Sequence, residues 1–125
     1  MWREALYIGL GGFLGANARY LISRAALKWL GPGFPYGTLL INVTGSVLLG
    51  FFLIWTSERV LSSYNLRLFF AIGFCGAYTT FSSYSYETFA LFEQGHYGLA
   101  AWNFLGNNLL ALLGVILGAV LARSV

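Results

Sequence analysis

Neutral hydrogen-bond donors share one face of a predicted helix between residues 35 and 57. The face carries the residues at i, i+4, i+7 and i+8, which are Thr38, Asn42, Gly45 and Ser46. In an apolar helix such side chains commonly hydrogen-bond to neighbouring helices. Alternatively, the Asn42 amide offers its N–H groups to a solute that moves along the face. The spacing alone allows both interpretations.

Polar and small residues also interrupt the next apolar segment, between Gly73 and Glu87. Glycines and hydroxyl-bearing residues are unfavourable inside a helix, so we expect a broken helix here. Irregular backbone at membrane depth is tolerated only where protein buries it or where it lines a cavity. The carbonyl groups that a break releases are suitable ligands for a small monovalent cation. Glu87 itself is costly at this depth unless it is hydrated or hydrogen-bonded.

The remaining polar residues are uncharged hydrogen-bond donors, and their pattern does not predict an enzyme active site. Asn103 and Asn107 form a polar stripe on the last predicted helix. His96 falls in a predicted loop and Cys75 has no partner base, so no nucleophile–base–acid set can be assembled. One cysteine excludes a disulfide within the chain and a multi-cysteine metal site, and a scattered net charge of +3 gives no basis for nucleic-acid binding. Amides, hydroxyls and positively polarised ring edges suit a pathway for a small anion.

These residues must be positioned by helices that cross a lipid bilayer. The chain is 58% apolar and 9% charged, whereas a soluble domain has roughly 25% charged residues. Residues 29–57, 68–86 and 94–122 carry no formal charge, and a span needs about 20 apolar residues. We predict an all-α integral membrane protein with one domain, residues 1–125, and four transmembrane helices, the third broken in mid-membrane. The spans are Glu4–Trp29, Pro35–Ser57, Asn65–Gln94 and Tyr97–Arg123, with connections at residues 32–35, 62–65 and 94–96.

Basic residues are nearly balanced between the two sides of the predicted membrane. One side holds Arg3, Arg59, Arg67 and Arg123, and the other holds Arg19, Arg24 and Lys28. Because Lys and Arg normally orient a membrane protein, this balance favours either insertion in both directions or one orientation that something other than charge decides. Glycines spaced by four, at residues 11 and 15 and at 114 and 118, allow close helix contacts and favour oligomerisation.

Three ordered motifs are more specific than any of these features alone. They are GAxxRY from Gly15, GTLxxNxxG from Gly37 and GxxTTFSxxSxE from Gly76. At these residues the sequence resembles the Fluc (CrcB) family of fluoride channels over essentially the whole chain. The resemblance implies passive fluoride export across the inner (cytoplasmic) membrane by a multi-pass protein. It also implies an antiparallel, dual-topology homodimer with two pores and a central structural sodium ion.

The resemblance also implies roles for individual residues. Asn42 is then a pore-lining amide, and Phe81 presents a ring edge to fluoride. The backbone carbonyls of Gly76 and Thr79 from both subunits hold the sodium ion, and Arg19 lies near a vestibule. The other pore and polar-track residues are Tyr84, Thr38, Ser83, Ser85, Glu87, Asn103 and Asn107.

Two positions depart from the pattern of that family. The second pore phenylalanine of the family is Tyr84 here, so a hydroxyl group either donates to fluoride or obstructs the path. On the last helix the family usually has a tyrosine and then a serine, where this chain has Asn103 and Asn107. Both asparagines remain hydrogen-bond donors, which keeps a polar track possible.

Two other functions compete with a fluoride channel. A small multidrug-resistance-like, proton-coupled transporter is also a short four-span protein of dual topology, but its chemistry needs a carboxylate within the first span. Residues 5–18 contain none, and Glu4 lies at the end of the span. A non-conducting membrane protein would explain the spaced glycines but would leave the broken helix and the Asn42 face without a purpose.

Overall fold

Every regular element in the described part of the chain is a helix. The structure is a computed structural model that describes residues 1–59 and 63–125. In chain order the helices are α1 (Trp2–Leu30), α2 (Tyr36–Arg59), α3 (residues 64–78), α4 (Phe81–Glu93) and α5 (Tyr97–Ser124). An all-helical protein was expected. Of the predicted connections, residues 62–65 begin at Ser62, which lies outside the described residues.

Backbone conformation explains where the first and fourth helices end. Gly31 follows α1 with a φ of 81°, and Gly95 follows α4 with a φ of 80°. Residues with a side chain rarely adopt this left-handed conformation, so glycine at these two positions lets the chain leave the helix. The connections expected at residues 32–35 and 94–96 therefore lie between helices.

The predicted third span consists of two helices, α3 and α4, separated by Thr79 and Thr80. Both threonines have extended backbone, with ψ values of 158° and 118°. The Thr80 side chain accepts a hydrogen bond from the Ser83 amide and thus caps α4 at its N-terminus. The expected interruption between Gly73 and Glu87 is confirmed and is only two residues long.

By length and composition, two of the described helices are able to cross a bilayer. These are α2 and α5, and the 24 residues of α2 extend about 36 Å at 1.5 Å per residue. Large apolar side chains are exposed along the molecule, including Leu112 and Leu113 of α5 at 60% and 57%. Such a surface is suited to contact with lipid rather than with water.

The spaced glycines bring helices of the same chain together. A side chain at Gly11 or Gly15 of α1 would overlap with backbone carbonyl groups of α3, those of Phe69 and Phe74. In α5, a side chain at Gly118 would overlap with the Val47 carbonyl of α2. The close helix contacts expected of these glycines are therefore present within one chain, and oligomerisation stays a prediction.

Replacement of Gly15 by alanine is expected to lower the midpoint of thermal unfolding in detergent. The added methyl group forces α1 away from α3, and overpacking of this kind costs about 1–3 kcal/mol. Gly9→Ala on the same helix is the matched control, because nothing lies within 4 Å of the position that its added methyl group would occupy. Equal midpoints for the two variants would contradict this account of the α1–α3 contact.

Candidate ion pathway

The Asn42 side chain hydrogen-bonds to the backbone in the two-residue gap between α3 and α4. Its Nδ2 atom donates to the Thr80 carbonyl at 3.0 Å, and its Oδ1 atom accepts from the Thr80 amide at 2.8 Å. One side chain of α2 thus satisfies both backbone polar groups of Thr80, as a neighbouring strand would. Gly45 allows this approach, since a side chain there would overlap with Thr79 and contact the Tyr78 ring.

Two backbone amides near the break are diverted to side chains. In a continuous helix the Thr80 amide would bond to the Gly76 carbonyl, and the Ser83 amide would bond to the Thr79 carbonyl. Here the Thr80 amide donates to Asn42 and the Ser83 amide donates to Thr80 Oγ1. The Gly76 and Thr79 carbonyls thereby lose their helical donors, and no other backbone amide of the described residues takes their place.

Amide side chains form a continuous hydrogen-bonded row from the break into α5. Asn42 Nδ2 donates to Asn107 Oδ1 at 2.8 Å, and Asn107 Nδ2 donates to the backbone and side-chain oxygens of Asn103. Asn103 Nδ2 then donates to Thr88 Oγ1 of α4 at 2.9 Å. Asn103 is fully buried and Asn107 is 5% exposed, so the row is an internal network that links three helices.

A widened turn of α5 separates the roles of two successive asparagines. Residues Gly106–Leu110 form a π-helical turn, a rare feature that often occurs at functional sites. Asn107 bonds to Asn42 of α2, whereas Asn108 Nδ2 donates to the Tyr84 hydroxyl of α4 at 2.9 Å. Two adjacent residues therefore contact two different helices.

The rings of Phe81 and Tyr84 meet at the start of α4. Their centroids are 5.3 Å apart and their planes are inclined by 67°, an edge-to-face arrangement. Phe81 is 76% exposed, whereas Tyr84 is 6% exposed. A cavity of about 280 Å³ lies beside them, and its lining residues are Asn42, Thr79, Thr80, Phe81, Tyr84, Asn107, Asn108 and Ala111. We call this space the break cavity.

A second polar contact, between α2 and α4, lines another cavity. Thr38 Oγ1 donates to Glu87 Oε1 at 2.8 Å, and both residues line a space of about 440 Å³ between the ends of α1, α2 and α4. His96, the residue before α5, also lines it. Glu87 Oε2 is buried without a hydrogen-bond partner among the described residues. Of the two expected ways to stabilise Glu87, hydration or hydrogen bonding, the described structure has a hydrogen bond at one of its two oxygens.

The other predicted site residues are more scattered. Ser83 is half-buried and its amide donates to the Thr80 cap of α4, but its hydroxyl makes no hydrogen bond among the described residues. Ser85 is exposed, and Arg19 is half-buried on α1. Neither Ser85 nor Arg19 lines the two cavities described above. Their roles in the polar track and the vestibule remain predictions.

Sequence reasoning did not assign three residues that the structure places in the network. Asn108 was recognisable as polar, but a helix of 3.6 residues per turn would have directed it away from Asn107. Thr88 lies one turn after Tyr84 and donates to the Tyr84 carbonyl, a bond that the sequence does not reveal. Thr80 stood in the third motif without a role, although its backbone is the partner of Asn42.

Comparison with known proteins identifies the family. The family model described as CrcB-like protein, camphor resistance (CrcB), matches residues 6–119. The chain belongs to the CrcB family. Among CrcB relatives, a fluoride-specific ion channel FluC of Koribacter versatilis is 55% identical over 123 residues, or 98% of each chain. FluC of Clostridium perfringens is 46% identical over 95% of this chain and 93% of its own, and FluC of Nitrobacter winogradskyi is 43% identical over 99% and 98%.

Membership of the CrcB family is consistent with the network around the break. The family match includes the Asn42 face, both threonines of the break and the asparagine row of α5. A transporter of the small multidrug-resistance type is not favoured, because the relatives named above are ion channels. Residues 5–18, within the predicted first span, contain no carboxylate.

Proposed function

We propose that this protein is a fluoride-selective channel that lets fluoride leave the cell passively across the cytoplasmic membrane. The observation that carries the proposal is the row of neutral amides that meets the aromatic pair Phe81 and Tyr84 at a cavity. Positively polarised ring edges and the polar hydrogens of neutral groups attract a small anion without a fixed positive charge that would trap it. The names of the relatives, which are fluoride-specific ion channels, specify the anion.

The pathway has two polar regions at different places along α2 and α4. The break cavity contains Asn42, Phe81 and Tyr84, and the larger cavity contains Thr38 and Glu87. Thr38 and Asn42 are one helical turn apart on α2, so the two regions follow one another along the same face. We assign the larger cavity as the vestibule and the break cavity as the aromatic part of the pore.

A sodium ion would fit the carbonyl groups at the break. The helical donors of Gly76 and Thr79 are diverted, which leaves two hard oxygen ligands close together in sequence. No cluster of three or more His, Cys, Asp or Glu side chains occurs in residues 1–59 and 63–125, so backbone oxygens are the suitable ligands there. When bound, the ion would supply positive charge that holds irregular backbone segments together.

A second copy, inserted in the opposite direction, would complete this arrangement. Gly76 and Phe81 are exposed at the break, and two carbonyl groups are fewer than the ligands that a sodium ion normally takes. An antiparallel homodimer of four-span copies would double the ligands and create two equivalent pores. If cross-linking of the purified protein yields only monomers, this pairing is wrong.

The proposed function is tested by ion release from liposomes that contain the purified protein. Vesicles loaded with potassium fluoride are expected to release fluoride rapidly once valinomycin provides a path for potassium, and a fluoride electrode records the release. Chloride-loaded vesicles are expected to release little of their anion. A proton-coupled transporter would instead respond to a pH gradient and would not need valinomycin. Absence of fluoride release by folded protein would overturn the proposal.

A further inference from the structure

The hydrogen-bond donors around the break cavity can be counted one by one. The Asn42 amide has two N–H hydrogens, and both are used, one on the Thr80 carbonyl and one on Asn107 Oδ1. Its orientation is fixed, because the Thr80 amide can only donate and must therefore face Oδ1. In the described structure, Asn42 thus has no N–H left for an ion in the cavity.

The two asparagines of α5 are also fully engaged. Asn107 Nδ2 donates to the backbone and side-chain oxygens of Asn103. Asn108 Nδ2 donates to the Phe104 carbonyl at 2.8 Å and to the Tyr84 hydroxyl at 2.9 Å. Since a carbonyl can only accept, the nitrogen of Asn108 must occupy this position. The oxygen of Tyr84 is therefore an acceptor in this contact.

This arrangement leaves the hydroxyl hydrogen of Tyr84 without an acceptor. A phenol can donate one hydrogen bond and accept others. Asn108 takes the accepting role, and no acceptor for the O–H hydrogen occurs among the described residues. Tyr84 is only 6% exposed but lines the break cavity, so an acceptor for this hydrogen has to lie in that cavity. Of the side-chain amide and phenol groups that line the break cavity in the described structure, Tyr84 alone keeps an unused hydrogen.

We propose that the Tyr84 hydroxyl donates a hydrogen bond to the anion in the break cavity and that Asn108 is the positioning residue for this donor. The inference rests on the proposed channel function and assigns a specificity-determining group within it. Donation from Asn108 polarises the phenol and strengthens its own O–H as a donor. Fluoride, the smallest halide and a strong acceptor, gains more from one such bond than a larger halide does. The hydroxyl group of Tyr84 therefore supports passage instead of obstructing it.

Tyr84→Phe tests the donor directly, because it removes the hydroxyl and keeps the ring edge. The fluoride concentration for half-maximal release from liposomes is expected to rise about tenfold, as for loss of a hydrogen bond to a charged group. Conduction at saturating fluoride is expected to persist. Tyr86→Phe is the matched control, because Tyr86 is on the same helix and 70% exposed. An unchanged half-maximal concentration in Tyr84→Phe would overturn the proposal.

A double-mutant cycle tests the positioning role of Asn108. Asn108→Leu is expected to raise the half-maximal fluoride concentration in the natural background and to have no further effect in Tyr84→Phe, since coupled residues are not additive. Independent effects that multiply in the double variant would overturn the role of Asn108. Wild-type protein without any fluoride release would instead overturn the channel function itself. If the wild type releases fluoride and Tyr84→Phe has the same half-maximal fluoride concentration, the role of the Tyr84 hydroxyl is wrong but the channel function stands.

Discussion

Replacement of Asn42 by alanine is expected to lower the rate of fluoride release from liposomes about 100-fold, because it disturbs the backbone beside the pore, where each unsatisfied buried group costs about 1–3 kcal/mol. The change acts in two ways. It removes the amide that joins the break to the asparagine row, and it leaves both backbone groups of Thr80 without their partner. The pore lining and the backbone at the break are therefore altered together.

The folded protein is expected to survive this substitution. Two unsatisfied backbone groups cost about 1–3 kcal/mol each, or about 2–6 kcal/mol together, which is less than most of the usual 5–15 kcal/mol stability of a protein. Size-exclusion chromatography checks the fold. Ser46→Ala is the matched control, because Ser46 lies one turn further along α2 and bonds only to the Asn42 carbonyl of its own helix. If Asn42→Ala conducts as fast as Ser46→Ala, Asn42 has no role in the pore.

Replacement of Phe81 by leucine is expected to lower the fluoride release rate about tenfold, the upper end of the range for an aromatic edge contact. Leucine keeps an apolar side chain at the start of α4 but has no positively polarised ring edge. The edge-to-face contact with Tyr84 is lost as well. Release is measured with the fluoride electrode at equal amounts of reconstituted protein.

Thermal unfolding separates the loss of function of Phe81→Leu from damage to the fold. Phe81 is 76% exposed in the protomer, so the unfolding midpoint of the single chain should change little. Phe89→Leu, at a residue 59% exposed on the same helix, provides a control with the same loss of volume. A similar decrease in release for both variants would point to a general effect of aromatic loss on α4 and would contradict a specific role of Phe81.

Local composition was sufficient to predict the helices and the existence of the break. Apolar stretches without charge indicated α2 and α5, and glycine with hydroxyl residues indicated that the chain after Gly73 could not remain one helix. The position of Asn42 on a polar face also followed from helical periodicity. These predictions depend on residues close in sequence, whose effects on backbone conformation are direct.

The partners of these residues could not be predicted, because they depend on how helices are aligned against each other. Asn42 contacts the Thr80 backbone because Gly45, which has no side chain, lets Tyr78 and Thr79 pack closely against α2. No local sequence pattern encodes that alignment of helices. The π-helical turn that gives Asn107 and Asn108 different partners likewise comes from packing. The sequence allowed the Asn42 amide either to bond to neighbouring helices or to donate to a passing solute, and in the described structure both of its N–H groups bond within the protein.

The pairing of Asn42 with Thr80 has a consequence for association between chains. Because Asn42 of α2 bonds to the Thr80 backbone of the same chain, the irregular segment between α3 and α4 is ordered before a second molecule binds. A partner that docks at the exposed Gly76 and Phe81 would meet a rigid surface, and little conformational entropy would be lost there on binding. Weakening the Asn42–Thr80 pair would then lower the affinity between the subunits of the proposed dimer, although neither Asn42 nor Thr80 needs to touch the partner.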